Sequence, residues 1–112
     1  MLFKKNRVTK KKDFERIFKK GITFREQFLI LKIAPGLFPE SRFAFIVSQK
    51  VSKNAVVRNR IRRRLRELTR SLASEIKKEV DGVFIALSGL EDKDFQEVKS
   101  ILYNLFKKAR LI

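Results

Sequence analysis

Residues 50–70 of the chain read Lys50-Val-Ser-Lys-Asn-Ala-Val-Val-Arg-Asn-Arg-Ile-Arg-Arg-Arg-Leu-Arg-Glu-Leu-Thr-Arg70. Apolar residues recur here every three or four positions, which predicts one long helix from about residue 54 to residue 78. A helix with one apolar stripe docks on a sheet along that stripe and leaves its other side exposed. The predicted stripe consists of Val57, Ile61, Leu65, Leu68, Leu72 and Ile76.

The exposed side of this predicted helix is crowded with arginine. Residues 50–70 hold nine basic residues and one acidic residue, Glu67. A planar guanidinium binds a phosphate through two hydrogen bonds and also stacks on exposed bases. The alternative, a surface helix covered with salt bridges, lacks acids, because Glu67 cannot neutralise seven arginines. The pattern therefore indicates a surface that binds a polyanion.

The charge of the whole chain supports the same interpretation. Of the formal net charge of +16, residues 1–20 carry +7 and residues 50–70 carry +8. Such crowding repels itself in the free protein, which favours a polyanionic partner. We interpret that partner as nucleic acid. An anionic membrane surface stays open as an alternative, because a basic amphipathic helix suits both.

Length and composition limit the other possibilities. With 112 residues, 44% of them apolar, the chain is predicted to form a single domain over residues 1–112. It contains no Cys and no His, which excludes disulfides, thiolate metal sites and imidazole catalysis. The longest apolar runs, 43–47 and 83–87, are too short to span a bilayer, and the first residues lack a signal-peptide core. We therefore expect a cytoplasmic protein.

The remaining elements are predicted from periodicity and from turn residues. Thr9 is expected to cap a first helix that ends near residue 20, with Gly21 left-handed after it. Strands are expected at 22–24, 28–34, 42–48 and 83–87, with residues 81 and 82 closing the long helix. Asp92 or a neighbour is expected to cap a last helix. Its predicted core face consists of Phe95, Val98, Leu102, Leu105, Phe106 and Ala109.

The order α-β-β-β-α-β-α predicts the α+β class, as a two-layer α/β sandwich with a four-stranded sheet. Phe14 and Phe18 lie one turn apart on the first helix of this sandwich. Their spacing favours a place for both rings in the core. The alternative is an open groove in which unpaired bases stack on the rings while lysines follow the backbone.

The acidic residues give no sign of a protein nuclease. Cleavage of a phosphodiester with metal ions needs clustered carboxylates that hold Mg²⁺. The only dense acidic group falls at the start of the last helix, where the helix dipole stabilises negative charge. It consists of Glu91, Asp92, Asp94 and Glu97. No catalytic residue and no metal ligand is therefore predicted.

Taken together, these residues resemble the protein subunit of bacterial ribonuclease P. The resemblance begins with Asp13-Phe14-x-x-x-Phe18-Lys19-x-Gly21 and continues through the strand at 42–48. Its most specific part is Ala55-x-x-Arg58-Asn59-Arg60-Ile61-Arg62-Arg63-x-x-Arg66-Glu67, which is similar to the family's Arg-Asn-Arg signature. This part lies between the third strand and an α-β-α tail.

The resemblance implies the fold of the second domain of a small-subunit ribosomal protein, with a left-handed βαβ crossover. It implies a holoenzyme that removes the 5′ leader of precursor tRNA, with Mg²⁺ held by the RNA subunit and the substrate. Contacts with ribonuclease P RNA are implied for Arg58, Asn59, Arg60, Arg62, Arg63 and Arg66. A cleft for the single-stranded leader is implied for Phe14, Phe18, Phe28 and Ile30, with Lys50 and Lys53 at its rim.

The resemblance implies no membrane and no protein partner. The alternative function is that of a ribosomal or RNA-chaperone protein with the same fold and no role in processing. Stimulated cleavage of precursor tRNA would separate these two functions.

Overall fold

The structure, a computed structural model, describes residues 7–112. The elements in chain order are α1 (Lys11–Lys20), β1 (Ile22–Glu26), β2 (Leu29–Pro35), β3 (Arg42–Ile46), α2 (Ala55–Leu72), β4 (Val80–Ala86) and α3 (Phe95–Lys108). This order confirms the predicted α+β class with a four-stranded sheet. Residues 1–6, which contain two lysines of the basic amino-terminal segment, lie outside the described residues.

The strands are arranged in the order β1-β2-β4-β3. Strand β2 pairs antiparallel with both β1 and β4, whereas β3 and β4 are parallel. A parallel pair needs a crossover connection, and α2 provides it. The left-handed sense of this crossover stays a prediction. Because β3 and β4 are parallel, their carboxyl ends meet at the same edge of the sheet.

Helices α2 and α3 cover one face of the sheet, called here the first face. The core on this face is built around Phe84, whose fully buried ring lies 5.5–5.8 Å from the rings of Phe43, Phe45 and Phe106, measured between centroids. The predicted stripe of α2 packs against this core. Four of its members, Ile61, Leu65, Leu68 and Leu72, are buried, and Val57 and Ile76 are partly buried.

Helix α1 covers part of the opposite, second face. Its residue Ile17 is fully buried in a smaller apolar cluster with Ala34, Ala44 and Val83. Successive residues of a strand point to opposite faces, so Val83 belongs to this cluster and Phe84 to the larger one.

A buried group of charged residues joins α1 to the sheet. The Asp81 carboxylate is fully buried and accepts hydrogen bonds from Arg42 Nε at 3.0 Å and Nη2 at 2.7 Å, and from Arg16 Nη2. Asp13 of α1 adds an ion pair, with its Oδ1 3.3 Å from Arg42 Nη2. Arg16 Nη1 donates to the Pro35 carbonyl at 2.8 Å. The hydrogen bonds to Asp81 raise the pKa of Arg42 and outweigh desolvation, which lowers it.

The predicted end of the long helix is wrong, whereas its start near residue 54 is confirmed. Helix α2 ends at Leu72, and a 3-10 turn (Ala73–Glu75) follows it, so Ile76 reaches the core from an extended segment. Asp81 and Gly82 lie inside β4 rather than at a helix end. Asp81 belongs there because its partners, Arg16 and Arg42, lie on the second face. Gly82 belongs there because a Cβ atom would come within 3.0 Å of the Phe43 ring.

The predicted ends of α1 also need correction. Helix α1 begins after Lys10, so Thr9 is not its cap. Gly21 has an extended conformation with φ of −73° rather than a left-handed one. Glycine is required there for space, because a Cβ atom would collide with the carbonyl oxygen of Ile17. Within residues 7–112, the left-handed residues are Gln27, between β1 and β2, Gly89, after β4, and Arg110, after α3.

The start of α3 is as predicted, with a neighbour of Asp92 as its cap. Asp94 accepts a hydrogen bond from the Glu97 backbone, and Glu97 completes a capping box. The predicted core face is confirmed except at Phe95, which is 42% exposed, while Ile101 is buried and was not predicted.

We expect Asp81→Asn to lower the free energy of unfolding by about 3–5 kcal/mol, because it leaves buried guanidinium charge without its counter-ion. The measurement is urea unfolding. Glu79→Gln removes an exposed charge two residues away and is expected to stay within about 0.5 kcal/mol of the unchanged protein. Equal midpoints for the two variants would contradict a structural role of the Asp81 charge.

Candidate nucleic-acid interface

The six residues of α2 that were predicted to bind RNA lie on the helix as expected, and we call them the basic face. Asn54 caps α2 by accepting a hydrogen bond from the Val56 backbone at 2.9 Å. Asn59, Arg60 and Arg63 are exposed. The basic face consists of Arg58, Asn59, Arg60, Arg62, Arg63 and Arg66, of which Arg58, Arg62 and Arg66 are half-buried.

Two arginines of the basic face are fixed by backbone carbonyls. Arg62 donates to Val47 O at 3.0 Å and to Asn59 Oδ1 at 2.6 Å. Arg58 donates to Ser52 O at 2.9 Å. These bonds tie the connection between β3 and α2 to the helix and orient the guanidinium groups.

Within residues 7–112, the arginines of α2 have no acidic partners. Among residues 7–112, every ion pair joins other residues, and no arginine of α2 lies within 4.0 Å of a carboxylate. The interpretation of α2 as a salt-bridged surface helix is therefore wrong. A surface with this much uncompensated charge attracts a polyanion.

An open depression of about 580 Å³ lies on the basic face. Its lining residues follow the spacing i, i+3, i+4, i+7 and i+8, so they belong to one side of α2. They are Asn59, Arg62, Arg63, Arg66 and Glu67. Three guanidinium groups and one carboxylate therefore surround the same space. Lys50 and Lys53 are exposed in the connection that leads into α2.

Phe14 and Phe18 differ in their exposure although they share one side of α1. Their rings are stacked, with centroids 6.5 Å apart and planes inclined by 20°. Phe14 is partly buried against the cluster on the second face, whereas Phe18 is 41% exposed. Lys32 Nζ lies 5.7 Å from the centroid of the Phe18 ring. Core packing thus accounts for much of Phe14, and Phe18 offers an accessible ring.

A row of isoleucines continues this apolar surface across the sheet. Ile30 is the cross-strand neighbour of Ile85, and Ile85 is the neighbour of Ile46. All three are half-buried. We call the surface formed by Phe14, Phe18, Ile30, Ile46 and Ile85 the apolar strip. Of the row, only Ile30 was predicted, because the pairing register that aligns the others is not visible in the sequence.

Phe28 lies elsewhere than the other predicted cleft residues. Its ring packs against the core of the first face and lies beside Gly89 in the segment that follows β4. Lys93 Nζ lies 5.2 Å from the centroid of the ring. The structure does not bring Phe28 together with Phe14 and Phe18.

The acidic residues near the start of α3 have structural partners. Glu91 accepts a hydrogen bond from the Gly89 backbone, and Asp94 and Glu97 form the capping box. Over residues 7–112, no group of three or more acidic, His or Cys side chains is placed to hold a metal ion. Within the same range, none of the helices is long and apolar enough to cross a membrane.

The chain matches a known protein family over almost its whole length. The family model described as Ribonuclease P matches residues 2–110. The chain belongs to this family. It is 36% identical over 107 residues to the ribonuclease P protein component of Clostridium botulinum strain 657, which covers 95% of this chain and 96% of that protein. The corresponding protein of Syntrophomonas wolfei is 32% identical over 111 residues, covering 99% and 92%.

Solved structures of ribonuclease P proteins share the fold. A Staphylococcus aureus ribonuclease P protein mutant with defective mRNA degradation activity superposes with a TM-score of 0.91, at 29% identity over 97% of this chain and 92% of that one. The Thermotoga maritima protein gives a TM-score of 0.82, at 29% identity over 91% and 96%. The chain is thus a protein subunit of ribonuclease P, and its partner is ribonuclease P RNA. The alternative of a ribosomal or chaperone protein is not favoured.

We expect two double substitutions in the ribonuclease P protein to affect stability differently. Arg60→Ala with Arg63→Ala should leave the free energy of unfolding within about 0.5 kcal/mol, because both side chains are exposed and make no hydrogen bond within residues 7–112. Arg58→Ala with Arg62→Ala should lower it by about 1–3 kcal/mol, because the bonds to Ser52 and Val47 are lost. Urea unfolding measures both, and equal losses would contradict the anchoring.

Proposed function

We propose that this protein holds ribonuclease P RNA with the basic face and the 5′ leader of precursor tRNA with the apolar strip. The observation that supports this proposal is that the basic face, whose arginines form no ion pair within residues 7–112, adjoins the half-buried apolar strip. Arg62 donates to the carbonyl of Val47, and Val47 follows Ile46 of the strip directly. The carboxyl end of β3 thus lies next to both the basic face and the apolar strip.

The apolar strip suits a single strand better than a duplex. Bases stack on an accessible ring only when they are unpaired, and Phe18 supplies such a ring. The isoleucine row offers further apolar contact for bases. Lys32 beside the ring, and Lys50 and Lys53 at the rim, are placed to neutralise the phosphates of the strand. Ile30 stays in the proposed site as part of the apolar strip, whereas Phe28, which packs against the core of the first face, lies outside it.

We also propose that the protein supplies no catalytic group to the endonucleolytic step. The chain has neither His nor Cys, and Glu91, Asp94 and Glu97 are engaged in the turn and cap before α3. Mg²⁺, held by the RNA subunit and the substrate, would activate water and stabilise the developing negative charge. The basic face and the rim lysines would neutralise phosphates where the RNA and the leader converge, and so favour substrate binding.

Reconstitution tests this function. Purified protein is mixed with a bacterial ribonuclease P RNA and 5′-labelled precursor tRNA at low Mg²⁺, and each component is also omitted in turn. We expect the protein to stimulate release of the leader by the RNA and to cleave nothing alone. Cleavage by the protein alone would assign the chemistry to its side chains. The absence of any stimulation would overturn the proposed function.

Binding of the RNA subunit should fall steeply with salt. Each neutralised phosphate is expected to contribute about −0.7 to −0.9 to the slope of log affinity against log salt concentration. Filter binding over a range of salt concentrations measures this slope. A flat response would contradict an electrostatic interface.

Phe18→Ala should weaken binding of leader-bearing precursor tRNA by about 1–3 kcal/mol, because one stacking surface is lost. Binding of mature tRNA should not change. Phe95→Ala is the matched control, because Phe95 is exposed to the same extent as Phe18 but lies on α3. An equal loss for precursor and mature tRNA would remove Phe18 from the leader site.

A further inference from the structure

Glu67 is an acidic residue next to the arginines of the basic face, which we propose to bind phosphates. It is exposed and lines the depression on the basic face together with Arg62, Arg63 and Arg66. Arg63 lies four residues before it and Arg70 three residues after it, both at positions from which a guanidinium can reach a carboxylate. Neither forms an ion pair with it in the described part of the chain.

Among the acidic residues within the three α-helices of residues 7–112, Glu67 is the one that forms no ion pair. Elsewhere the same spacing does produce ion pairs, between Lys11 and Glu15 and between Lys93 and Glu97. An unpaired carboxylate on an RNA-binding surface repels the phosphate backbone and weakens binding. Its presence among arginines therefore calls for a ligand group that donates hydrogen bonds, because such a group turns the repulsion into a contact.

We propose that Glu67 accepts hydrogen bonds from the Watson–Crick edge of an unpaired guanine of ribonuclease P RNA. This inference rests on the proposed binding of that RNA by the basic face. An ionised carboxylate offers two acceptor oxygens and no donor. Guanine alone among the four bases presents two adjacent donor groups, N1–H and the N2 amino group, on that edge. The edge is free to bind protein only in an unpaired nucleotide.

The other groups around the depression suit neighbouring parts of the same RNA strand. Asn59 Oδ1 accepts a hydrogen bond from Arg62 Nη1, so the amide nitrogen of Asn59 is left to donate. Because Asn59 lies eight residues before Glu67, about 12 Å along the helix axis, this donor serves an acceptor on an adjacent nucleotide rather than on the same guanine. Arg63 and Arg66 remain for the phosphates on either side. The depression of about 580 Å³ lies within the range of roughly 300–1,000 Å³ that is typical of small-molecule sites.

The variant Glu67→Gln, which removes the charge, distinguishes two interpretations of this residue, because they predict opposite changes in the affinity for ribonuclease P RNA. If Glu67 only adds negative charge, its removal strengthens binding of every RNA. If it accepts hydrogen bonds from guanine, its removal weakens binding of ribonuclease P RNA while an unrelated duplex RNA binds as well as before or better. We expect a loss of about tenfold for ribonuclease P RNA, the typical discrimination of a paired contact with a base edge.

Glu75→Gln is the matched control. It removes the same charge from an exposed glutamate that follows α2 and does not line the depression. This variant should bind both RNAs with unchanged or slightly higher affinity. Melting curves of both variants are expected to match that of the unchanged protein, because both side chains are exposed.

Chemical probing identifies the base. Kethoxal modifies guanine at N1 and N2 when that edge is free, so a guanine bound to Glu67 is protected. We expect one unpaired guanine of the RNA to be protected by the unchanged protein and by Glu75→Gln, and exposed again with Glu67→Gln. Tighter binding by Glu67→Gln, or identical protection with all three proteins, would overturn the inference alone. Failure of the unchanged protein to prefer ribonuclease P RNA over duplex RNA would overturn the proposed function, and the inference with it.

Discussion

A single carboxylate, that of Asp81, fixes the position of α1 on the second face of the sheet. It is fully buried and accepts hydrogen bonds from Arg16 of α1 and Arg42 of β3. The apolar cluster under α1 is smaller than the core of the first face, and its buried members besides Ile17 are valines and alanines. Such contacts are non-directional and allow the helix to slide, whereas a buried ion pair requires one geometry. The position of Phe14 and Phe18 beside the sheet therefore depends on Asp81.

The open surface of the second face follows from the length of α1. A helix of ten residues is about 15 Å long, which covers only part of a four-stranded sheet. It closes over Ala44 and Val83 and leaves the next row, Ile30 with Ile85 and Ile46, half-buried. On the first face, two longer helices pack over the aromatic core, in which Phe43, Phe84 and Phe106 are buried. The protein thus gains its stability mainly on one face and keeps apolar surface available on the other.

Local patterns predicted what local forces determine. The order of elements and the buried stripe of α2 followed from periodicity, as did the arginine-rich side opposite that stripe, whereas the six residues of the basic face were selected by the family resemblance. The role of Asp81 was missed, because its partners lie 39 and 65 residues away and Gly82 beside it suggested a turn. The different exposure of Phe14 and Phe18 could not be predicted either. Both residues lie on the same side of α1, and the boundary of the core falls between them. Ile46 and Ile85 could not be assigned to the apolar strip without the pairing register of the strands.

The basic face combines fixed and free arginines, and the two kinds serve different purposes. Arg58 and Arg62 are held by backbone carbonyls, so binding costs them little side-chain entropy. Arg60 and Arg63 are exposed and can adapt to the path of a backbone. Phosphate contacts of either kind place an RNA without distinguishing its sequence. Discrimination is therefore favoured by a group that phosphate repels, and Glu67, which lines the depression beside the arginines, is such a group.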